Sequence, residues 1–134
     1  MEENIFHLPD VSNWHCTVTH LHPGHGSLDI QLINDELKQR MKLQFHQVFY
    51  FGGWTKWQGA NFRFSTDSEY MDLARKHPSF DDIEDEELLD IGIFSISRLF
   101  ICQSEDCGLI YVMAAGGGLF DKKGTEIIKR SVLE

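Results

Sequence analysis

Five side chains capable of binding a metal or moving a proton crowd into eleven positions near the start of this chain: His15, Cys16, His20, His22 and His25. Imidazole and thiolate are common ligands for zinc and copper. On an extended strand His20 and His22 fall on the same face, which makes a metal-binding protein or a small enzyme using the His15–His25 group one reading of the sequence. The spacing matches no closed site, and a fourth ligand requires His46 or Cys102 to arrive from elsewhere in the fold. Histidines facing solvent from a strand are the simpler explanation. The sequence therefore predicts no metal and no cofactor, with His20, His22 and His25 as the weak alternative ligands.

Three other groups invite chemistry. Cys102 and Cys107 are separated by four residues at a turn, but nothing adjacent supplies the general base that a nucleophilic thiolate needs. Cys102 reads as buried and inert, and Cys107 as more exposed, its thiol held protonated by neighbouring Glu105 and Asp106. Gly116-Gly117-Gly118 lacks both the Gly-Lys-Ser/Thr ending of a phosphate loop and the dinucleotide fingerprint, and reads as a bend between two strands. Trp54, Trp57, Phe62 and Phe64 form either a ligand platform or the end of a core, with an exposed tryptophan available to anchor an interface.

The fourth group is a charge run. Residues Asp81 to Asp90 include seven carboxylates and no basic residue. They lack the Asp-x-Asp-x-Asp-Gly order of a calcium loop, and no spacing within them singles out a catalytic acid and base. What the run offers is a dense negative field able to steer and pair with arginines and lysines of a partner. Glu84, Asp85 and Glu87 are the first candidates for contact, then Asp81 and Asp82, with Trp54 and Trp57 as apolar anchors.

These groups have to be positioned by an α+β fold, a mainly antiparallel, curved sheet of about six to seven strands with one or two helices inserted at about residues 66–90. Alternation places Trp14, Cys16 and Val18 on one face of a first strand, and Leu28, Ile30 and Leu32 inward on a second, paired as a hairpin. A third strand, Arg40 to Phe51, points Met41, Leu43 and Phe45 to the core; its alternation stumbles near Gln47, as at a β-bulge. Asn61 to Phe64 reads as a brief edge strand. Thr66-Asp-Ser-Glu69 has capping-box spacing for a helix carrying Tyr70, Leu73, Ala74 and His77, stopped by Pro78. A second short helix fits Ser79 to Asp90. The central hairpin is Ile91 to Cys102 and Leu109 to Met113, the first run apolar on both faces and so covered on both. Thr125 to Ile128 reads as a strand, with a closing helix over Glu126 to Leu133 as the alternative. Residues 1–13 read as a loosely ordered lead-in to a single domain spanning 1–134, anchored by Phe6 or Leu8.

Composition narrows the function classes. The chain of 134 residues carries 12 basic and 21 acidic side chains, a formal net charge of -9. Such a surface repels nucleic acid and anionic membranes and suits a cationic partner. Three cysteines without zinc-type pairs, and no basic leader ahead of an apolar segment, predict a reduced, cytoplasmic protein. No apolar run approaches the ~20 residues of a membrane span. The expectation is a non-enzymatic protein-interaction module, most concretely a bacterial immunity-type inhibitor that binds and occludes a basic toxin such as a nuclease. In size and charge the chain is similar to many immunity proteins, a likeness of type that no family motif carries. A homo-oligomeric binding domain without catalysis is the third reading.

Overall fold

The computed structural model describes residues 4–22, 26–76 and 97–131. Eight strands and one α-helix lie among them, an α+β fold built on one antiparallel sheet. In chain order the strands are β1 (His15–His22), β2 (Ser27–Asn34), β3 (Gln39–Gly52), β4 (Lys56–Gln58), β5 (Asn61–Phe64), then the helix α1 (Asp67–Ala74), then β6 (Arg98–Gln103), β7 (Leu109–Asp121) and β8 (Glu126–Ser131). Across the sheet the order is β4-β1-β2-β3-β7-β6-β5, and β8 pairs with the second half of β7. The sheet thus has more strands than the six to seven expected, because the short β4 falls in an aromatic stretch with no alternation to announce it.

The two end strands of this order, β4 and β5, are consecutive in the chain and joined by only Gly59 and Ala60. Two residues span at most about 7 Å, so the sheet has to curl until its ends meet. Backbone bonds seal the join. Gly59 N–H donates to Trp14 C=O at 2.8 Å, and Glu105 N–H, from the β6–β7 turn, donates to Gln58 C=O at 2.7 Å. Gly59 has φ 105, and a Cβ there would lie 3.1 Å from Glu105 N, so a side chain meets both backbone strain and the neighbouring turn.

The alternation expected for β1 to β3 holds. Trp14, Cys16, Leu28, Ile30, Leu32, Leu43 and Phe45 are buried inside the curl. The stumble near Gln47 is a bulge: Gln47 has φ 50, the β3–β7 register shifts between Val48 and Tyr50, and Val48 N–H donates to Gly26 C=O at 2.6 Å. The central hairpin also holds. On β6, Phe100 and Cys102 face inward, while Leu99 and Ile101 face outward under Tyr70 and Ala74 of α1, beside Met113 of β7. Two small cores on the two sides of one strand account for its lack of polar positions. Residues 91–96, the expected start of this strand, lie outside the described residues.

The lead-in is part of the core. Ile5, Phe6 and Leu8 are buried, and Phe6 meets Phe45, Phe62 and Phe100 with ring centroids 6.2, 5.7 and 6.4 Å away. Ile5 N–H donates to Phe62 C=O at 2.9 Å and Ile5 C=O accepts from Arg130 Nε at 2.8 Å, so the segment is tied at both β5 and β8. The triple glycine does not bend the chain into two strands. β7 runs unbroken through it, because those positions touch larger neighbours: a Cβ on Gly117 would stand 2.6 Å from the Phe45 ring, and one on Gly116 2.7 Å from His46. Asp121 to Gly124 then turns the chain into β8, a strand and not a closing helix. The α1 helix begins at the expected capping box, Thr66 with Glu69, but ends at Ala74, before the His77 and Pro78 that lie outside the described residues. Among the described residues no helix is long and apolar enough to cross a membrane.

Phe6 is the innermost ring of the aromatic centre, so Phe6→Ala is expected to cost about 3–5 kcal/mol of stability, whereas Phe49→Ala, at an exposed bulge position, is expected to cost less than about 1 kcal/mol. Urea denaturation of both variants checks this. Equal losses would remove the lead-in from the core.

Candidate functional site

The side chains that could do chemistry near the N-terminus are held apart by the strand that carries them. β1 persists to His22, so His20 and His22 do share a face, and their rings stack with centroids 5.0 Å apart. His20 Nδ1 stands 3.9 Å from Asp29 Oδ2 across the β1–β2 pair. His15 lies at the other end of β1, Cys16 points inward, and His46 lies over Gly116 on β3. Among the described residues no group of three or more His, Cys, Asp or Glu side chains is arranged to hold a metal ion. His25 lies outside the described residues.

The cysteines are structural. All three are free. Cys16 and Cys102 reach the sealed join from opposite sides, each donating its Sγ–H to the Gly59 carbonyl at 3.4 Å, and Trp57 Nε1 donates to the same oxygen at 2.9 Å. Burial pushes both thiols up, Cys102 to about 12 and Cys16 further, with Cys102 itself adding to the effect on Cys16. Cys107 is half-buried, with its thiol raised by desolvation and by the neighbouring Asp106 carboxylate. Asp106 in turn is lowered, because its Oδ1 accepts from Gln58 N–H at 3.0 Å. None of the three is poised as a nucleophile.

The two tryptophans expected to anchor a partner part company. Trp57 is 4% exposed and committed to Gly59 through its indole N–H, which removes it from any contact surface. The inward face of β4 has to be filled when the sheet closes, and Trp57 fills it. Trp54, in the loop after β3, is 69% exposed. Phe49 and Tyr50, at the β3 bulge, are also exposed, at 45% and 42%. Tyr50 pairs with Met113 and so stands on the outer face of the sheet, beside the area that α1 covers. Sequence reasoning passed over Tyr50 because four apolar residues in a row, Val48 to Phe51, conceal which of them the bulge turns outward.

The acidic run of Asp81, Asp82, Glu84, Asp85 and Glu87, with Glu86 and Asp90, lies outside the described residues, as does the short helix expected over Ser79 to Asp90. The elements that flank it are firmly set. On its N-terminal side, Arg63 of β5 makes a two-pronged pair with Glu69 of α1, at 2.8 and 2.9 Å, and Glu69 Oε1 also accepts the Thr66 N–H at 2.9 Å. That carboxylate is held down to about 2, first by the Arg63 hydrogen bonds and then by the Thr66 N–H. On the C-terminal side, Ser97 is buried and its hydroxyl bonds the Tyr70 hydroxyl of α1. The described elements on either side, α1 and Ser97 at the start of β6, are thus bonded to each other on the outer face of the sheet.

Charge is unevenly divided along the chain. All 12 basic side chains are among the described residues, together with eleven of the 21 acidic ones. The other ten are Glu2, Glu3, Glu134 and the seven within 81–90, so the described scaffold is close to neutral and the net charge of -9 comes from outside it. The described cations are also grouped: Lys38, Arg40, Lys122 and Lys123 line one open cleft between the β2–β3 and β7–β8 turns. In comparison with known proteins, the chain matches no family model, no curated protein and no solved structure.

Two outcomes follow from these environments. Glu69 is depressed from about 4.5 to about 2 in the folded protein, so its stabilising effect is full above pH 4.5 and is lost as pH falls towards 2. Glu69→Gln is expected to lower stability at pH 7 while shrinking the loss between pH 5 and pH 2, read from urea midpoints; parallel pH profiles would sever the link to Arg63. In native protein at pH 8 a thiol reagent is expected to label Cys107 alone, and Cys16 and Cys102 only after denaturant is added. Rapid labelling of two or three thiols would show that the join opens.

Proposed function

We propose that this protein is an interaction module for a basic protein, with the acidic run between α1 and β6 as its principal contact. The observation that carries the reading is the division of charge: a nearly neutral scaffold and seven carboxylates in ten consecutive residues, inserted between two elements fixed to each other. A charge-dense segment held at both ends loses less freedom on binding than a free tail of the same composition. Its negative field raises the encounter rate with a cationic surface and pairs with arginine and lysine once contact is made.

In its concrete form the proposal is a bacterial, cytoplasmic, immunity-type inhibitor of a basic toxin such as a nuclease. Carboxylates of Glu84, Asp85 and Glu87, then Asp81 and Asp82, occupy positions where the toxin holds phosphates, and Trp54 desolvates the edge of the contact, with Tyr50 added to it by its place on the outer face. Trp57 has no part in this surface.

The test uses the full chain. A basic protein captured from the source cells is purified and its association is followed by surface plasmon resonance. The triple variant Glu84→Lys, Asp85→Lys, Glu87→Lys is expected to slow association at least tenfold and to flatten its salt dependence, and Trp54→Ala to speed dissociation several-fold. Unchanged rates after the triple charge reversal would assign recognition to another surface and end this reading.

A further inference from the structure

The strongest concentration of positive charge on the scaffold lies at the end of β3 opposite to Trp54. The β2–β3 turn supplies Lys38 and the start of β3 supplies Gln39 and Arg40, and the β7–β8 turn supplies Lys122 and Lys123. These turns are more than eighty residues apart in sequence and become neighbours because β3 pairs with β7, Met41 facing Asp121. Between them is an open cleft of about 750 Å³ whose wall is completed by Ile33, Asn34 and Asp35. A smaller groove of about 260 Å³ shares Arg40 and Lys122 and adds Lys42.

Three features separate this cleft from an ordinary solvated surface. Among the described residues Lys38, Arg40, Lys122 and Lys123 have no ion-pair partner within 4 Å, although the chain as a whole is strongly acidic. The carboxylate nearest in sequence to the two turn lysines is already engaged, since Asp121 Oδ1 accepts from Lys123 N–H at 2.9 Å and Thr125 N–H at 3.0 Å, holding the turn. The backbone under the cleft is fixed: buried Asn34 accepts from Leu37 N–H at 3.0 Å through Oδ1 and donates to Asp10 at 3.3 Å, and Lys38 sits at φ 54. Asp35, on the wall, Glu36, in the same turn, and Asp121, whose charge its backbone hydrogen bonds leave in place, are the carboxylates nearest in sequence to the four cations.

Gathering four cations on a fixed frame, none of them paired with a carboxylate among the described residues, is unfavourable in the free protein, and an anion relieves it. The geometry points to a ligand class: we propose that this cleft binds a small polyanion carrying two or more linked phosphate groups. An arginine with its planar fork and three lysines acting as point charges are the usual means of holding such oxygens. The volume suits a ligand of nucleotide size, within the roughly 300–1,000 Å³ of small-molecule sites. No aromatic ring is among the described residues lining it, so charge and not a stacked base carries recognition. The inference is independent of the acidic run and stands whether or not that run binds a basic protein.

Sodium tripolyphosphate is the probe, titrated into the full chain in 150 mM NaCl and followed by calorimetry and amide NMR shifts. The expected result is saturable one-to-one binding with shifts confined to residues 33–40 and 121–125. Lys122→Gln with Lys123→Gln is expected to weaken it at least tenfold, and Lys56→Gln with Lys76→Gln to leave it unchanged. Arg40→Lys, which keeps the charge and loses the fork, is expected to weaken it several-fold. Absence of saturation, or equal losses in the two double variants, would reduce the cleft to general counter-ion attraction and overturn the proposal. A synthetic peptide of residues 81–90 provides the second arm: if it binds the cleft more tightly than tripolyphosphate, the site docks acidic protein segments and the phosphate assignment fails.

Discussion

The closure of the sheet at Gly59 is the constraint from which most of this structure follows. Strands at the two ends of a seven-strand order, with β8 paired off it, are separated by two residues of chain, so the sheet cannot lie open. Among the described residues the two end strands do not pair with each other; groups from elsewhere in the chain bond to them instead, Glu105 N–H to Gln58 C=O of β4 and Ile5 N–H to Phe62 C=O of β5. The join is also where polar groups would be left stranded, and the Gly59 carbonyl shows how that is met. It receives an indole N–H and two thiols, groups that tolerate burial and still donate. The two inward cysteines of the chain are thereby explained as weak donors at a crowded acceptor, with their thiol protons retained.

Curling a sheet this tightly creates an interior that the strands do not fill by themselves. Small residues line part of β7, where Gly116, Gly117 and Gly118 leave room for His46, the Phe45 ring and Glu126. The remaining volume is taken by Phe6, which arrives from outside the sheet and brings the backbone of residues 4–8 with it. The lead-in is thus a late but essential part of the core, and its ties to Phe62 and Arg130 connect β5 to β8 across the interior. Aromatic rings meeting edge to face, with centroids 5.0–6.2 Å apart, contribute beyond their buried area, and here they link Phe6 to Phe45 and Phe62, and Phe45 to Phe100.

What could be read from the chain alone divides along the same physical line. Strands with one wet face announced themselves by alternation: Leu28, Ile30 and Leu32 against Asp29 and Gln31, and Leu43 and Phe45 against Lys42 and Gln44. The capping box at Thr66 was legible because its chemistry is local. Features set by partners distant in sequence were not. Nothing near Gly117 says that Phe45 will press against it, nothing near Trp57 says that a third strand residue will be needed at a closing edge, and Phe6 in a polar lead-in gives no periodic signal. The candidate contact residues divide likewise. Trp54 and Trp57 are three residues apart and chemically equal in sequence, yet one is exposed and the other is bonded inside.

The division of charge gives the scaffold a consequence for recognition. A protein with net charge -9 would ordinarily be described by a single negative field, but the described elements hold their 12 cations against eleven anions, and four of those cations converge on one cleft. At physiological ionic strength fields beyond about 8 Å are largely screened. β3, whose 14 residues approach roughly 45 Å if extended, separates the turn that bears Lys38 from the loop that bears Trp54 by several such lengths, even after the bulge shortens it. Partners at its two ends therefore meet local charge and not the average. The turn lysines at one end of β3 and the exposed Trp54 at the other are therefore separate local environments, set apart by the length of the strand between them.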